Sequence, residues 1–205
     1  MSKGTLFVIS APSGSGKSTL IKNILASRRN TVFSVSMTTR KPRGEEKDKI
    51  DYHFVTKDYF KSRIEVDDFL EYAEYCDEFY GTPRTFVEMN IEQGNDVILE
   101  IDTQGARRIR SVCKDAVHIF VMPPSFEVLE QRLRDRATET EEKIQKRLYT
   151  ARSEMTRADE YDYIVINDDL QEATMKMLSI MSAEKNKTER MKDKVSHLIN
   201  KENVN

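Results

Sequence analysis

Residues 5–20, TLFVISAPSGSGKSTL, narrow the choice of fold more than any other stretch. Leu6-Phe7-Val8-Ile9 is a short apolar run of the kind that forms a buried strand. Ala11-Pro12-Ser13-Gly14-Ser15-Gly16 is a loop of small residues. Lys17, Ser18 and Thr19 follow, and Leu20, Ile21, Ile24 and Leu25 form a helical stripe. Strand, glycine-rich loop, Lys-Ser and helix in that order predict a phosphate-binding loop. Small side chains let backbone N–H groups converge on phosphate oxygens, and the helix start adds the positive end of its dipole. Lys17 can reach terminal phosphates, and the Ser18 hydroxyl can ligand Mg2+. The usual pattern opens with Gly where this chain has Ala11, and Ala does not take a positive φ freely. Either Ala11 sits at negative φ or the loop is altered. The plainer reading is a Gly/Ser-rich turn, and the context on both sides favours the phosphate loop.

The remaining apolar runs extend this start into an α/β architecture. Val32 to Ser36, Val97 to Ile101, Val117 to Val121 and Ile164 to Ile166 read as strands, and helical patterns separate most of them. Such alternation predicts a central parallel sheet covered by helices on both faces, with ligands beyond the C-terminal strand ends. At 205 residues a single domain is expected. Two stretches interrupt the alternation. Residues 37–90 are long, polar and rich in Arg, Tyr, Asp and Glu, and read as an inserted subdomain. Residues 131–157 are an arginine-studded helical stretch, with Thr138 and Glu141 as a capping box and Ile144, Leu148, Ala151 and Met155 as the apolar stripe. This gives a core of 1–35, 91–130 and 158–184, an insertion of 36–90, a lid of 131–157 and a charged helix or tail of 185–205. The tail carries a thin stripe of Met191, Val195, Leu198 and Ile199, compatible with a docked helix, a dimer contact or a frayed end.

With 33 basic and 35 acidic residues the net charge is −2, which argues against a general binder of nucleic acid or membranes. Cys76 and Cys113 have no metal spacing and read as ordinary thiols of a reducing compartment. No apolar run is long enough for a signal peptide or a membrane span, so a soluble cytoplasmic protein is expected. Monomer and homo-oligomer remain equally open.

Three clusters carry candidate chemistry. Arg40 and Arg43, with Tyr52 and Tyr80, suit a dianionic phosphate, because guanidinium groups offer paired donors. Glu71 and Asp102 are carboxylates that could accept the ring N–H and amino group of guanine, an edge adenine lacks. Asp102 is also readable as an acid holding Mg2+ through water, and strand periodicity puts Glu100 on its side. Arg132, Arg136 and Arg147 would neutralise transferred charge if their segment folds over a bound nucleotide. Arg134, Arg152 and Arg157 read as an ordinary charged helix face.

In order and spacing, APSGSGKST, SVSMTTRKPRG, DYHFV, FLEYAEY, FYGTP, LEIDTQGA, RATETEEKIQKRL and YDYIVIND resemble the guanylate kinases over roughly residues 6–170. The resemblance implies a P-loop kinase of three parts, a core, a GMP-binding insertion and a lid, that converts ATP and GMP to ADP and GDP with Mg2+. It implies that Arg40, Arg43, Tyr52 and Tyr80 take the GMP phosphate, and that Ser36, Glu71, Thr82 and Asp102 take the guanine. It assigns the triphosphate to the loop from Ala11 to Thr19, including Pro12, Ser13, Gly14, Ser15, Gly16, Lys17 and Ser18, with Arg132, Arg136 and Arg147 from the lid. Asn167 would lie near the adenine. Glu45 and Lys49 replace two glycines of the family pattern, Asp77-Glu78 replaces Gly-Asn, and Ala137 replaces a lid glycine. Two other readings stand beside this one: a kinase for another nucleoside monophosphate, and a catalytically inactive protein-binding module of the same fold.

Overall fold

Parallel strands buried on both faces need apolar residues in unbroken runs, and this chain supplies them. The computed structural model describes residues 3–135 and 140–201. Its elements in order are β1 (Leu6–Ser10), α1 (Lys17–Ser27), β2 (Thr31–Phe33), β3 (Met37–Thr38), β4 (His53–Phe54), α2 (Lys57–Glu65), β5 (Phe69–Tyr75), β6 (Glu78–Pro83), α3 (Arg84–Glu92), β7 (Asp96–Glu100), α4 (Thr103–Val112), β8 (Val117–Met122), α5 (Phe126–Arg134), α6 (Glu141–Met155), β9 (Tyr163–Ile166), α7 (Leu170–Lys185) and α8 (Thr188–Lys201).

The first sheet is parallel, in the order β2-β7-β1-β8-β9. All five residues of β1 are buried, and successive side chains serve opposite faces. Phe7 and Ile9 pack with α1 (Leu20, Ile21, Ile24) and α7 (Ala173, Met177, Met181). Leu6 and Val8 pack with α4 (Ala106, Ile109), with Val87 of α3 and with Leu70. The strands therefore have no polar face to show, which is why their sequence pattern is a run rather than an alternation.

The second sheet, β4-β3-β6-β5, is built from the polar stretch. Its core is aromatic: Phe60 of α2 stacks on Phe69 at 4.3 Å and on Phe79 at 5.4 Å. Gly81 of β6 makes room for that stack, since a Cβ there would lie 2.7 Å from the Phe69 ring. The β5–β6 hairpin turns through Cys76 and Asp77, both left-handed (φ 51° and 62°), where turns of this hand favour Asn and Gly. A third apolar cluster joins α5 to α6 through Leu129, Leu133, Ile144, Leu148 and Ala151.

The structure refines several expectations. Helix α3 runs across position 90/91 and α5 across 130/131, so both cuts fall inside helices, because composition changes there while the backbone continues. Helix α6 starts at Glu141 with Thr140 at its N-cap; Thr138, the expected cap, lies outside the described residues. The strand expected to reach Ile101 ends at Glu100, and Asp102 caps α4 by accepting the Gly105 N–H at 2.7 Å. Strand periodicity therefore does not relate Glu100 to Asp102. The charged terminal segment forms α8, with Val195, Leu198 and Ile199 exposed. Among the described residues no helix is long and apolar enough to cross a membrane, and no His/Cys/Asp/Glu group is set to hold a metal by itself.

Candidate active site

The site gathers at the C-terminal ends of β1, β7 and β9. Between β1 and α1 the loop turns through Gly14 (φ 94°) and Gly16 (φ 83°), both left-handed. Ala11 is not among the residues with positive φ and packs partly buried on the core, so the missing glycine needs no altered loop. Gly16 is the N-cap of α1 and contributes no side-chain cap, so the first N–H groups of the helix keep the role of a phosphate cradle. Lys17 Nζ lies 2.9 Å from Glu100 Oε1, and the Ser18 hydroxyl donates to the same oxygen at 2.9 Å. A hydroxyl beside a carboxylate is the all-oxygen donor set that suits a hard divalent cation.

Asn167, just past β9, braces this loop. Its buried side-chain amide donates to the Ser15 carbonyl at 2.7 Å, and its own carbonyl accepts Arg132 Nη2 at 3.2 Å. The Nη1 atom of Arg132 is buried without a protein partner. From α6, Arg147 donates to the Ser13 hydroxyl, so the helical segment reaches over the phosphate loop. Glu154 of the same helix faces the loop as well: burial pushes its carboxyl up, Asp102 adds to that, and Lys17 opposes it. Arg136 lies outside the described residues. Arg134 pairs with Glu130 and Glu141, and Arg152 lies over the Phe126 ring at 4.5 Å, so these two residues of the charged helix faces brace α5 against α6.

The second sheet supplies the opposite wall. Arg40 is buried, and its fork holds Glu46 through two bonds of 2.8 and 3.0 Å. Its guanidinium sits 5.2 Å from the Tyr52 ring centroid, and Tyr52 meets Tyr80 edge-on at 6.2 Å. Glu46 first, then the Tyr80 hydroxyl, holds the Arg40 pKa above its ordinary value. Arg43 is exposed, and its backbone N–H donates to Glu46 at 2.8 Å. Burial pushes the Tyr52 hydroxyl up, Arg40 pulls it down, and Glu100 across the cleft is within electrostatic reach. The two walls therefore face one another.

Glu71 is on β5 with its side chain buried. The Thr82 hydroxyl donates to Oε1 at 3.0 Å, and Arg108 Nε lies 3.2 Å from Oε2. Burial raises the Glu71 pKa, and Arg108 and Thr82 pull it back. Asp102 is exposed and adds a further, smaller upward push. Ser36 is half-buried, and its carbonyl accepts from His53 N at 2.9 Å.

The structure thus joins Lys17, Ser18, Arg132, Arg147 and Asn167 at one wall and Arg40, Tyr52, Tyr80, Glu71 and Thr82 at the other. Sequence reasoning gave no role to three residues of the site. Glu100 had a signal, a carboxylate closing an otherwise apolar strand. Arg108 and Glu154 had none, since each looks like any charge on a helix.

Comparison with known proteins bears on this geometry. A family model described as guanylate kinase matches residues 3–184. The guanylate kinase of Nitrosospira multiformis is 49% identical over 185 residues, 90% of this chain and 88% of that protein. The guanylate kinase of Clostridioides difficile is 46% identical over 191 residues, 93% of each chain. A crystal structure of guanylate kinase from Anaplasma phagocytophilum superposes with a TM-score of 0.75 at 35% identity, covering 92% of this chain and 90% of that one.

Proposed function

This chain belongs to the guanylate kinase family, and from that premise we propose how its residues divide the transfer of the ATP γ-phosphoryl group to GMP. The observation that carries the reading is the pairing of two unlike walls. One is a phosphate loop with Lys17 and Ser18, and the other is a buried carboxylate, Glu71, fixed by Thr82. The second sheet takes GMP: Arg40, Arg43, Tyr52 and Tyr80 hold its phosphate, and Ser36, Glu71, Thr82 and Asp102 meet its base. Glu71 and its neighbours would be left unpaired by a base without guanine's donors, which is the physical basis for rejection.

On the other wall the loop from Ala11 through Thr19 holds the triphosphate. Mg2+ would be held by Ser18 with Glu100, which touches Ser18 where Asp102 does not, and it supplies neutralisation of phosphate charge. The buried, unpartnered Arg132 Nη1 and the loop-facing Arg147 add cationic donors, with Arg136 proposed as the third. Asn167 positions the loop through Ser15, whatever it contributes toward adenine. Residues 131–157 act as the lid.

The attacking atom is a phosphate oxygen of GMP. It is already anionic, so no general base is needed. A P–O bond forms to that oxygen as the bond to the bridging oxygen of ADP breaks. Alignment and charge neutralisation by Lys17 and the arginines do the rest. Glu46 occupies the Arg40 fork with the charge and bidentate geometry of a phosphate oxygen pair, so GMP binding exchanges one anion for another. The same reading carries the expectation of a cytoplasmic enzyme that binds neither nucleic acid nor membrane. The test is ADP release with ATP and Mg2+, offering GMP, AMP, UMP and CMP in parallel. Turnover with GMP alone is expected. Turnover with another nucleotide overturns the base reading, and none in a folded, GMP-binding protein overturns catalysis.

A further inference from the structure

A carboxylate reads guanine only while it is ionised. Each Glu71 oxygen has two acceptor sites. One on Oε1 takes the Thr82 hydroxyl at 3.0 Å, and one on Oε2 faces Arg108 Nε at 3.2 Å. One site per oxygen is left, which matches the two adjacent donors of guanine, its ring N–H and its amino group. A protonated Glu71 would instead offer one donor and one acceptor. That pattern clashes with a guanine N–H and complements adenine, which presents a ring-nitrogen acceptor beside an amino donor. The ionisation state of one side chain therefore selects between two bases.

The surroundings do not secure the ionised state without help. The Glu71 side chain is only 7% exposed, and burial penalises its charge. Among the described residues the charged groups that act on it both come from α4: Arg108, and the N-cap Asp102, a like charge. From β6 it receives the neutral Thr82 hydroxyl. Arg84 of α3 is turned away toward Asp67 and the Phe69 carbonyl. Arg108 is thus the cation that offsets both burial and Asp102. It is held in place because Ala106 and Ile109 fix α4 in the cluster that also contains Leu70, the neighbour of Glu71.

We propose that Arg108 is a positioning residue for base specificity: it keeps Glu71 a carboxylate, and so keeps the enzyme selective for GMP over AMP. This rests on Glu71 reading the base. The measurement is kcat/KM for GMP and for AMP from pH 6 to pH 8.5 in the wild type and in Arg108→Met, Arg108→Lys and Glu71→Gln. Both nucleotides carry a phosphate that titrates near pH 6, so their ratio cancels that titration. In Arg108→Met the GMP/AMP ratio falls roughly tenfold at every pH, the equivalent of about one pKa unit at Glu71, because the ratio follows the proportion of ionised to protonated carboxyl; relative to wild type, kcat/KM for GMP alone is lowered most at pH 6 and recovers toward pH 8.5. Arg108→Lys retains the charge and regains most of the ratio. An unchanged ratio, or a kcat/KM for GMP lowered relative to wild type by the same factor at every pH, overturns the proposal, because a purely structural defect has no reason to follow this titration or to favour AMP. Glu71→Gln fixes the one-donor, one-acceptor pattern, so it loses the GMP preference at all pH values. If Glu71→Gln keeps that preference, the base reading itself falls. If Glu71→Gln loses it while Arg108→Met does not change it, only the role of Arg108 falls.

Discussion

Gly16→Ala tests the phosphate loop where its geometry is least forgiving. Gly16 has φ 83°, a conformation in which a Cβ crowds the following carbonyl at about 1–2 kcal/mol. The added methyl would also lie 2.5 Å from Asn167 Nδ2, the atom that donates to the Ser15 carbonyl at 2.7 Å. No rotation of a methyl group relieves that contact, so the Asn167 amide must move. Its buried hydrogen bond is then lost, leaving a donor and an acceptor unmatched at about 1–3 kcal/mol. Together these give about 2–5 kcal/mol, shared between folding and the cost of re-forming the loop around a triphosphate. Urea denaturation measures the first share, and the KM for ATP, expected to rise at least about tenfold, measures the second. A double-mutant cycle isolates the contact. Asn167→Ala is expected to cost less in the Gly16→Ala background than in the wild type, by about 1 kcal/mol or more. A Gly16→Ala protein within about 0.5 kcal/mol of wild type, or strict additivity with Asn167→Ala, would refute the reasoning.

Lys17→Met removes the ammonium that bonds Glu100 and that is proposed to neutralise the transferred phosphoryl group. We expect kcat to fall by about three powers of ten with the melting transition nearly unchanged, and near-normal turnover would remove Lys17 from the mechanism. His118 is buried on β8, and burial, then Arg110, lowers its pKa from 6.5 to about 4. The unfolded chain therefore takes up the proton first. Stability is complete above about pH 6.5 and falls by on the order of 2–3 kcal/mol as pH drops toward 4. His118→Leu should show a shallower loss over that window in urea titrations, and identical slopes for the two proteins would sink the assignment. Lys49 occupies φ 63° without being glycine. Lys49→Gly removes about 1–2 kcal/mol of strain and adds about 0.5–1 kcal/mol of unfolded-state entropy, so a net gain of about 0–1.5 kcal/mol is expected. A lower denaturation midpoint would contradict it.

The phosphate loop and the core strands were legible in the sequence because their physics is local. A parallel strand buried on both faces must be apolar throughout, as residues 6–9 and 97–99 are. A loop that turns its N–H groups inward must be small, and its helix follows at once. The same locality explains why Ala11 raised a question that only the backbone answered, since a residue letter does not state its φ. Boundaries were less legible. Polarity changes near residues 90 and 130 while the helices there continue, because hydrogen bonding along a helix is indifferent to which face is charged. Pairing could not be read at all. Glu71 and Arg108 lie 37 residues apart, Asn167 and Ser15 lie 152 apart, and Lys17 meets Glu100 across two strands. Charged helix residues share one appearance in sequence, and burial together with a partner decides which of them holds a functional carboxylate and which only solvates a surface. The chain's letters set the sheet and the loop by composition at each position. Tertiary structure chose which distant charges would share a low-dielectric space, and there their energies grow large enough to determine chemistry.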